Sequence, residues 1–182
     1  MKIAGLDEVG RGALAGPLIA AAVSLNPKQQ IPNLKDSKKL NQKQRERVDK
    51  LIYESGALVM IETISVNLIN KRGIGWANKE IFKRLIKKTD ADKYIIDGNL
   101  KFKNKKIKSV VKADNTRKCV MAAAIVAKVY RDEQMKMLHE RYKVYGWDKN
   151  KGYGTSTHIK ALKTYGISKH HRSLFVRTAL TK

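Results

Sequence analysis

The sequence predicts an α/β fold, a mixed sheet flanked by helices and followed by a small helical C-terminal part. Three observations predict it. Short apolar runs of strand character recur between helix-period stretches as far as Asp114. One long helix-period segment follows, and the last residues are basic, glycine-punctuated and helical in pattern. Strands and helices do not alternate strictly, so the sheet is expected to be mixed rather than wholly parallel. A length of 182 residues suits one domain of ordinary size, read here as a body at 1–145 and a short helical part at 146–182.

The stretch KIAGLDEVG (2–10) reads as a strand running into the turn Gly10-Arg11-Gly12. PLIAAAVSL (17–25) is almost continuously apolar, as a central strand buried on both faces should be, and it stops at Asn26-Pro27. A loop with Pro27 and Pro32 leads to a helix of about three turns, for which Asn41 and Gln44 supply a capping box and which ends before Gly56. ALVMIETISV (57–66) is rich in strand formers, and Trp76 to Ile86 carries apolar residues at 81, 82, 85 and 86, one face of a helix. YIIDG (94–98) is a short buried strand ending in Asp97-Gly98, and IKSVVKAD (107–114) is another that ends in Asp114. The longest helix spans about Arg117 to Tyr142, with Cys119, Ala122, Ala123, Val126, Val129 and Tyr130 on one face; its alanine-rich start requires a neighbour packed very close. The turn Gly152-Tyr153-Gly154 precedes a short helix closing at Tyr165-Gly166, and the tail from His170 is basic and weakly helical.

Composition narrows the function. Hydrophobic residues make up 42%, which excludes disorder and fibrous repeats. Lys and Arg number 39 against 16 acids, a formal net charge of +23. Self-repulsion on that scale is relieved by a polyanion, so phosphate-rich partners are expected; the plainer alternative is a lysine-rich solvated surface. A single cysteine, Cys119, excludes a disulfide within the chain and points to a reducing compartment and a core thiol. No run reaches the roughly 18 apolar residues that span a bilayer. The apolar segment Ala13–Leu25 holds Pro17 and follows Asp7 and Glu8, so it is not expected to be a secretory leader; a soluble cytoplasmic protein is expected.

With so few acids, their positions matter. Asp7, Glu8, Asp97 and Asp114 all fall at the C-terminal ends of apolar strands. Singly, each has an ordinary explanation: pairing with surface Lys or Arg, a turn at Asp97, a helix cap at Asp114. Brought together by one sheet, clustered carboxylates repel unless hard cations neutralise them, and oxygen ligands favour Mg²⁺ or Mn²⁺. An acidic, metal-loaded site in a basic protein is the layout of a two-metal phosphodiesterase. Neighbouring residues on a regular strand face opposite ways, so either the strand distorts between Asp7 and Gly10, which is favoured, or one of the pair ligates through its carbonyl.

GLDEVGRG (5–12), GP (16–17), DSKKL (36–40), IIDGN (95–99), VVKAD (110–114), AAAIVAKVYRD (122–132), KGYGTSTH (151–158) and YG…HRSLF (165–175) together resemble the type 2 ribonucleases H, the ribonuclease HII family. The match runs in order over nearly the whole chain. The resemblance implies a ribonuclease H-like catalytic domain at 1–145 and a C-terminal substrate-binding part at 146–182. It implies cleavage of RNA in RNA–DNA hybrids and incision 5′ to ribonucleotides embedded in duplex DNA, leaving 3′-OH and 5′-phosphate ends. By motif position it makes Asp7, Glu8, Asp97 and Asp114 the catalytic metal ligands for Mg²⁺ or Mn²⁺, Gly10, Arg11 and Gly12 a turn sensing the 2′-hydroxyl, and Tyr153 a junction-sensing ring. Glycines at 10 and 12 suit close approach of backbone to a sugar. Ser37, Lys38 and Lys39, before a capped helix, suit phosphate oxygens, as Lys128 and Arg131 suit the nucleic-acid backbone, although Lys128–Asp132 is also an ordinary i,i+4 pair. His158, His170 and His171 lack metal-ligand spacing and read as surface or DNA-facing. Ala124 stands where the family usually has Ser, HRSLF keeps only part of the usual HRRSF, and no added clamp-binding tail is evident. A monomer acting without a membrane is expected. A non-catalytic basic nucleic-acid-binding module would explain the charge but not the order of the acidic motifs, and a DNA-directed nuclease or transposase conflicts with the Gly10-Arg11-Gly12 turn.

Overall fold

The computed structural model describes residues 1–26 and 30–181, so the expected turn at Pro27 lies outside the described residues. The elements run β1 (Ile3–Val9), β2 (Leu18–Ser24), α1 (Gln42–Glu54), β3 (Leu58–Ile64), α2 (Val66–Arg72), α3 (Ile74–Lys88), β4 (Lys93–Asp97), β5 (Ile107–Val110), α4 (Lys118–Arg141), α5 (Trp147–Asn150), α6 (Ser156–Tyr165) and α7 (Ser173–Leu180). One-turn 3₁₀ helices stand at Ser37–Lys39, Ala113–Asn115 and Lys143–Tyr145.

The five strands form one mixed sheet in the order β3-β2-β1-β4-β5. β1 pairs antiparallel with β2 and parallel with β4, which puts the C-terminal ends of β1 and β4 at the same edge of the sheet. Alternation along the central strands divides the core. Ala4, Leu6, Leu18, Ala20 and Ala22 face α3 with Ile81, Phe82 and Leu85. Ile19, Ala21 and Val23 face the other way, against α1 and the alanine-rich half of α4. Phe82 is fully buried, and truncating such a ring costs about 3–5 kcal/mol.

The close neighbour that the alanines of α4 require is β1. A Cβ at Gly5 would sit 2.3 Å from the backbone of Cys119 and Val120, so strand and helix touch main chain to main chain. Cys119 itself, in the first turn of α4, is only partly buried. The capping box at Asn41 and Gln44 is present in full. α2 is an addition to the sequence expectation, a two-turn helix opened by the Ser65 side chain and closed by Gly73 at φ 80°. A third apolar cluster joins Leu14 and Ala15 to Met135 of α4 and to Tyr145, Trp147, Leu162 and Val176, and so seats the C-terminal segment on the turn that follows β1.

No helix among the described residues is long and apolar enough to cross a membrane.

Candidate active site

β1 and β4 run side by side in register Leu6↔Ile96, which brings Asp7 beside Asp97, where β4 ends and β1 runs on to Val9. Asp114 arrives by another route. β5 stops at Val110, not at Asp114 as the apolar alternation suggests, and the chain turns through Lys112 in the left-handed conformation (φ 57°) into a 3₁₀ turn. Asp97 Oδ1 accepts the Ala113 N–H at 2.6 Å, and this bond folds Asp114 back toward the strand ends. A carboxylate oxygen from each of Asp7, Asp97 and Asp114 then lies within 4.8 Å of the others.

At such separations each pair of charges repels by about 3–4 kcal/mol at an effective dielectric constant near 20. Asp7 is only 9% exposed, and burial first, then Glu8, Asp97 and Asp114, holds its carboxyl well above the usual range. Lys38 Nζ bonds Asp114 Oδ2 at 2.9 Å, which raises the lysine's own pKa. The 3₁₀ turn carrying Ser37 and Lys38 is opened by Asp36, whose carboxylate accepts the Lys38 N–H.

Glu8 is not part of this trio. The expected strand distortion is absent: Asp7, Glu8 and Val9 pair one for one with Ala21, Ala20 and Ile19. Regular alternation therefore turns the Glu8 side chain away from Asp7, toward the face of Leu6. Burial raises its pKa to about 6, with Arg11 opposing and Asp97 adding to the rise.

Asp7, Glu8, Gly10, Arg11, Gly12, Ser37, Lys38, Asp97, Asp114 and Tyr153 all line one cleft of about 390 Å³, and Lys39 stands outside it. Arg45, Ala124 and Lys128 line it too. Arg45 donates to the Ser37 and Leu40 carbonyls, a role that nothing in the QRER run distinguishes from its neighbours. Lys128 bonds Asp132 at 2.7 Å, the i,i+4 pair the sequence allows.

Gly10 is required by the fold itself. Its φ is 90°, and a Cβ there would lie 2.2 Å from Arg131 Nε. Gly12 meets no such obstacle. Arg131, expected to track a nucleic-acid backbone, is instead fully buried, donating to the Pro17, Lys151 and Ala15 carbonyls. Its guanidinium carbon lies 5.3 Å from the centre of the Tyr153 ring. The expected surface histidines are also corrected: His158 and His171 are buried against Tyr145 and Trp147, and each ring nitrogen finds a partner among the Tyr153 carbonyl, the Trp147 indole, Ser168 and the other imidazole.

The Ribonuclease HII family model matches residues 4–181. This chain belongs to the ribonuclease HII family. It is 43% identical to the Ribonuclease HII of Clostridium botulinum (strain Loch Maree / Type A3) over 98% of this chain and 69% of that protein. It is 44% identical to the Ribonuclease HII of Orientia tsutsugamushi (strain Ikeda) over 95% of this chain and 85% of that protein. Among solved structures, it is similar to the PCNA:RNase HII complex from Archaeoglobus fulgidus (TM-score 0.83, 25% identity, 94% of each chain). Bst-RNase HIII in complex with Mn²⁺ shares the fold at TM-score 0.72 and 19% identity, covering 100% of this chain and 70% of that one. As a ribonuclease HII family member, the chain is a metal-dependent endonuclease with ribonuclease H activity. Its own donor set fits a hard divalent cation: three carboxylates converge in an open cleft, all ligands are oxygen, and their mutual repulsion is what a cation relieves.

Proposed function

We propose that this protein hydrolyses the RNA strand of RNA–DNA hybrids and incises 5′ to single ribonucleotides embedded in duplex DNA, leaving 3′-OH and 5′-phosphate ends. It acts as a cytoplasmic monomer. The observation that carries this reading is the convergence of Asp7, Asp97 and Asp114 in one cleft with the Gly10-Arg11-Gly12 turn and Tyr153, on a protein of net charge +23.

Asp7, Asp97 and Asp114 would hold Mg²⁺ or Mn²⁺ through their side chains, with Glu8 completing the set. Two such cations would supply activation of a water nucleophile and stabilisation of the leaving 3′-oxygen in an in-line displacement. Arg11 and the backbone at Gly12 face the ribose. The 2′-hydroxyl both donates and accepts hydrogen bonds, so a turn built to satisfy it is left with unpaired polar groups when deoxyribose enters. Because no atom of the described residues would obstruct a Cβ at Gly12, a need for glycine there comes from the substrate. Lys38, Ser37 and Lys39 take phosphate oxygens along the strand, and the C-terminal part at 146–182 presents the Tyr153 ring to the nucleotide 3′ of the cleaved ribose.

The test is a duplex with one embedded ribonucleotide beside an all-DNA control, each with Mg²⁺, with Mn²⁺ and with neither. Metal-dependent incision 5′ to the ribonucleotide alone is expected. Cutting of the all-DNA duplex, or no cutting of either, would overturn the proposal.

A further inference from the structure

The buried imidazoles of His158 and His171 form a relay that ends on the cleft tyrosine. His158 Nδ1 lies 2.9 Å from the Tyr153 carbonyl oxygen, which can only accept, so Nδ1 carries the proton. Its Nε2 receives the Trp147 indole N–H at 3.2 Å, and an indole can only donate. His158 is therefore neutral and in the Nδ1–H form. That leaves His171 Nε2, 3.1 Å away, as the donor to the same lone pair. His171 Nδ1 in turn accepts the Ser168 N–H at 2.8 Å. One direction of donation runs from Ser168 through both rings to Tyr153.

Relay and loop need each other. Tyr153 is flanked by Gly152, at φ 81°, and Gly154, and the loop is anchored at Gly152, whose carbonyl accepts the Leu14 N–H at 2.8 Å and the Ala15 N–H at 3.1 Å. Tyr153 itself is held at its ring by the Arg131 guanidinium, 5.3 Å from the ring centre, at its amide by the Asn150 carbonyl at 2.9 Å, and at its carbonyl by the Thr155 N–H and the His158 ring. The far end of the relay lies in the segment before α7, with His171 packed against the stacked rings of Tyr145 and Trp147. A second proton on His158 Nε2 would face two donors, and one on His171 Nδ1 would face the Ser168 amide at 2.8 Å, with the Ser168 hydroxyl at 3.0 Å as its one acceptor among the described residues. Burial opposes both, lowering His158 and taking His171 to about 4.

We infer that His158 and His171 are positioning residues for substrate discrimination: locked in opposite tautomers, they set the Tyr153 main chain and so aim its ring at the nucleotide. This rests on the reading of Tyr153 as the residue that senses the ribonucleotide–deoxyribonucleotide junction, and it adds the device that orients it. Neither histidine touches substrate.

The experiment has two arms. In the first, ¹⁵N-labelled wild-type protein is examined by NMR at neutral pH. His158 should appear as the Nδ1–H tautomer, the minor form of a free imidazole, and His171 as Nε2–H; an Nε2–H tautomer at His158 would overturn the inference without any mutation. The second compares kcat/KM for a single embedded ribonucleotide with that for a continuous hybrid in Tyr153→Ala, His158→Leu and His158→Asn, whose amide restores a donor near Nδ1. Misplacing a reacting partner by about 1 Å can cost up to about a hundredfold, so the ratio should fall about tenfold in H158L, as in Y153A, and recover in H158N. A lowered ratio in Y153A beside an unchanged ratio in H158L would overturn the inference alone. An unchanged ratio in Y153A would overturn the junction reading and the inference with it.

Discussion

Arg172 Nη1 donates to the carbonyl oxygen of Gly10 at 2.7 Å, joining residues 162 apart in the chain. The same guanidinium takes the Arg11 carbonyl at 3.1 Å and the Gly16 carbonyl at 3.0 and 2.8 Å. With Arg131 beside it, two buried guanidiniums lie beneath the Gly10-Arg11-Gly12 turn, both satisfied by main-chain oxygens and neither ion-paired to a carboxylate among the described residues. Burial, then the charge of Arg131, brings Arg172 down to about 9.

Arg172→Ala should therefore unfasten the turn from below. Hydrogen bonds from a charged donor contribute about 1.5–3 kcal/mol each and are not additive, so a loss of about 2–5 kcal/mol in urea unfolding is expected. Arg172→Lys should fall between, because one ammonium cannot reproduce the planar fork. A change under about 0.5 kcal/mol would mean that the turn holds itself.

Asp7→Asn should keep the fold, since the amide oxygen can still accept the Glu8 N–H that Asp7 Oδ1 accepts at 2.8 Å. Cleavage should drop at least about a hundredfold, as on removal of an electrostatic catalytic group. In metal-free buffer its Tm should rise, because one charge leaves the trio. Mn²⁺ should raise the Tm of the wild type, by about 2.7 kcal/mol of stability at a hundred times Kd, and raise that of the variant much less. Near wild-type cleavage by D7N would remove Asp7 from the site.

Salt dependence reports whether the +23 charge meets the duplex. A footprint of roughly six phosphates gives a slope of about −5 in a plot of log affinity against log salt. Fluorescence anisotropy with a non-cleavable hybrid measures it, and a flat line would place the charge outside the interface.

His171 sets a pH dependence of known sign. Its folded pKa, about 4, lies below the 6.5 of an ordinary histidine, so between those values the unfolded chain binds a proton that the folded protein refuses. Its contribution to stability is complete above about pH 6.5 and is lost as pH falls toward 4. Glu8, raised to about 6, works the other way in part of that window, so the comparison is between wild type and His171→Gln. Wild type should lose more Tm than H171Q between pH 7 and pH 4.5; parallel curves would mean that His171 takes up its proton as readily in the fold as in the unfolded chain.

What the sequence by itself determined is what neighbours within a few residues decide. The Asn41–Gln44 box, the apolar strands around Leu6 and Ala21, the span of α4 and the demand of its alanines for a close partner all follow from local pattern, and ordered motifs sufficed to point to the family. The tertiary structure decided the rest. Alternation could not say that β5 stops at Val110, because Lys112 takes a left-handed turn that no lysine signals and the bond that makes it useful comes from Asp97. Nor could it resolve Asp7 against Glu8, since a strand pairing one for one with β2 allows only one of them to face Asp97 and Asp114. Arg131, His158 and His171 read as surface or nucleic-acid contacts, and nothing local signals the burial of Arg172, because these residue types are costly to bury alone. They are buried here because their partners, among them main-chain oxygens at Gly10, Ala15 and Tyr153, come from parts of the chain that only folding brings beside them.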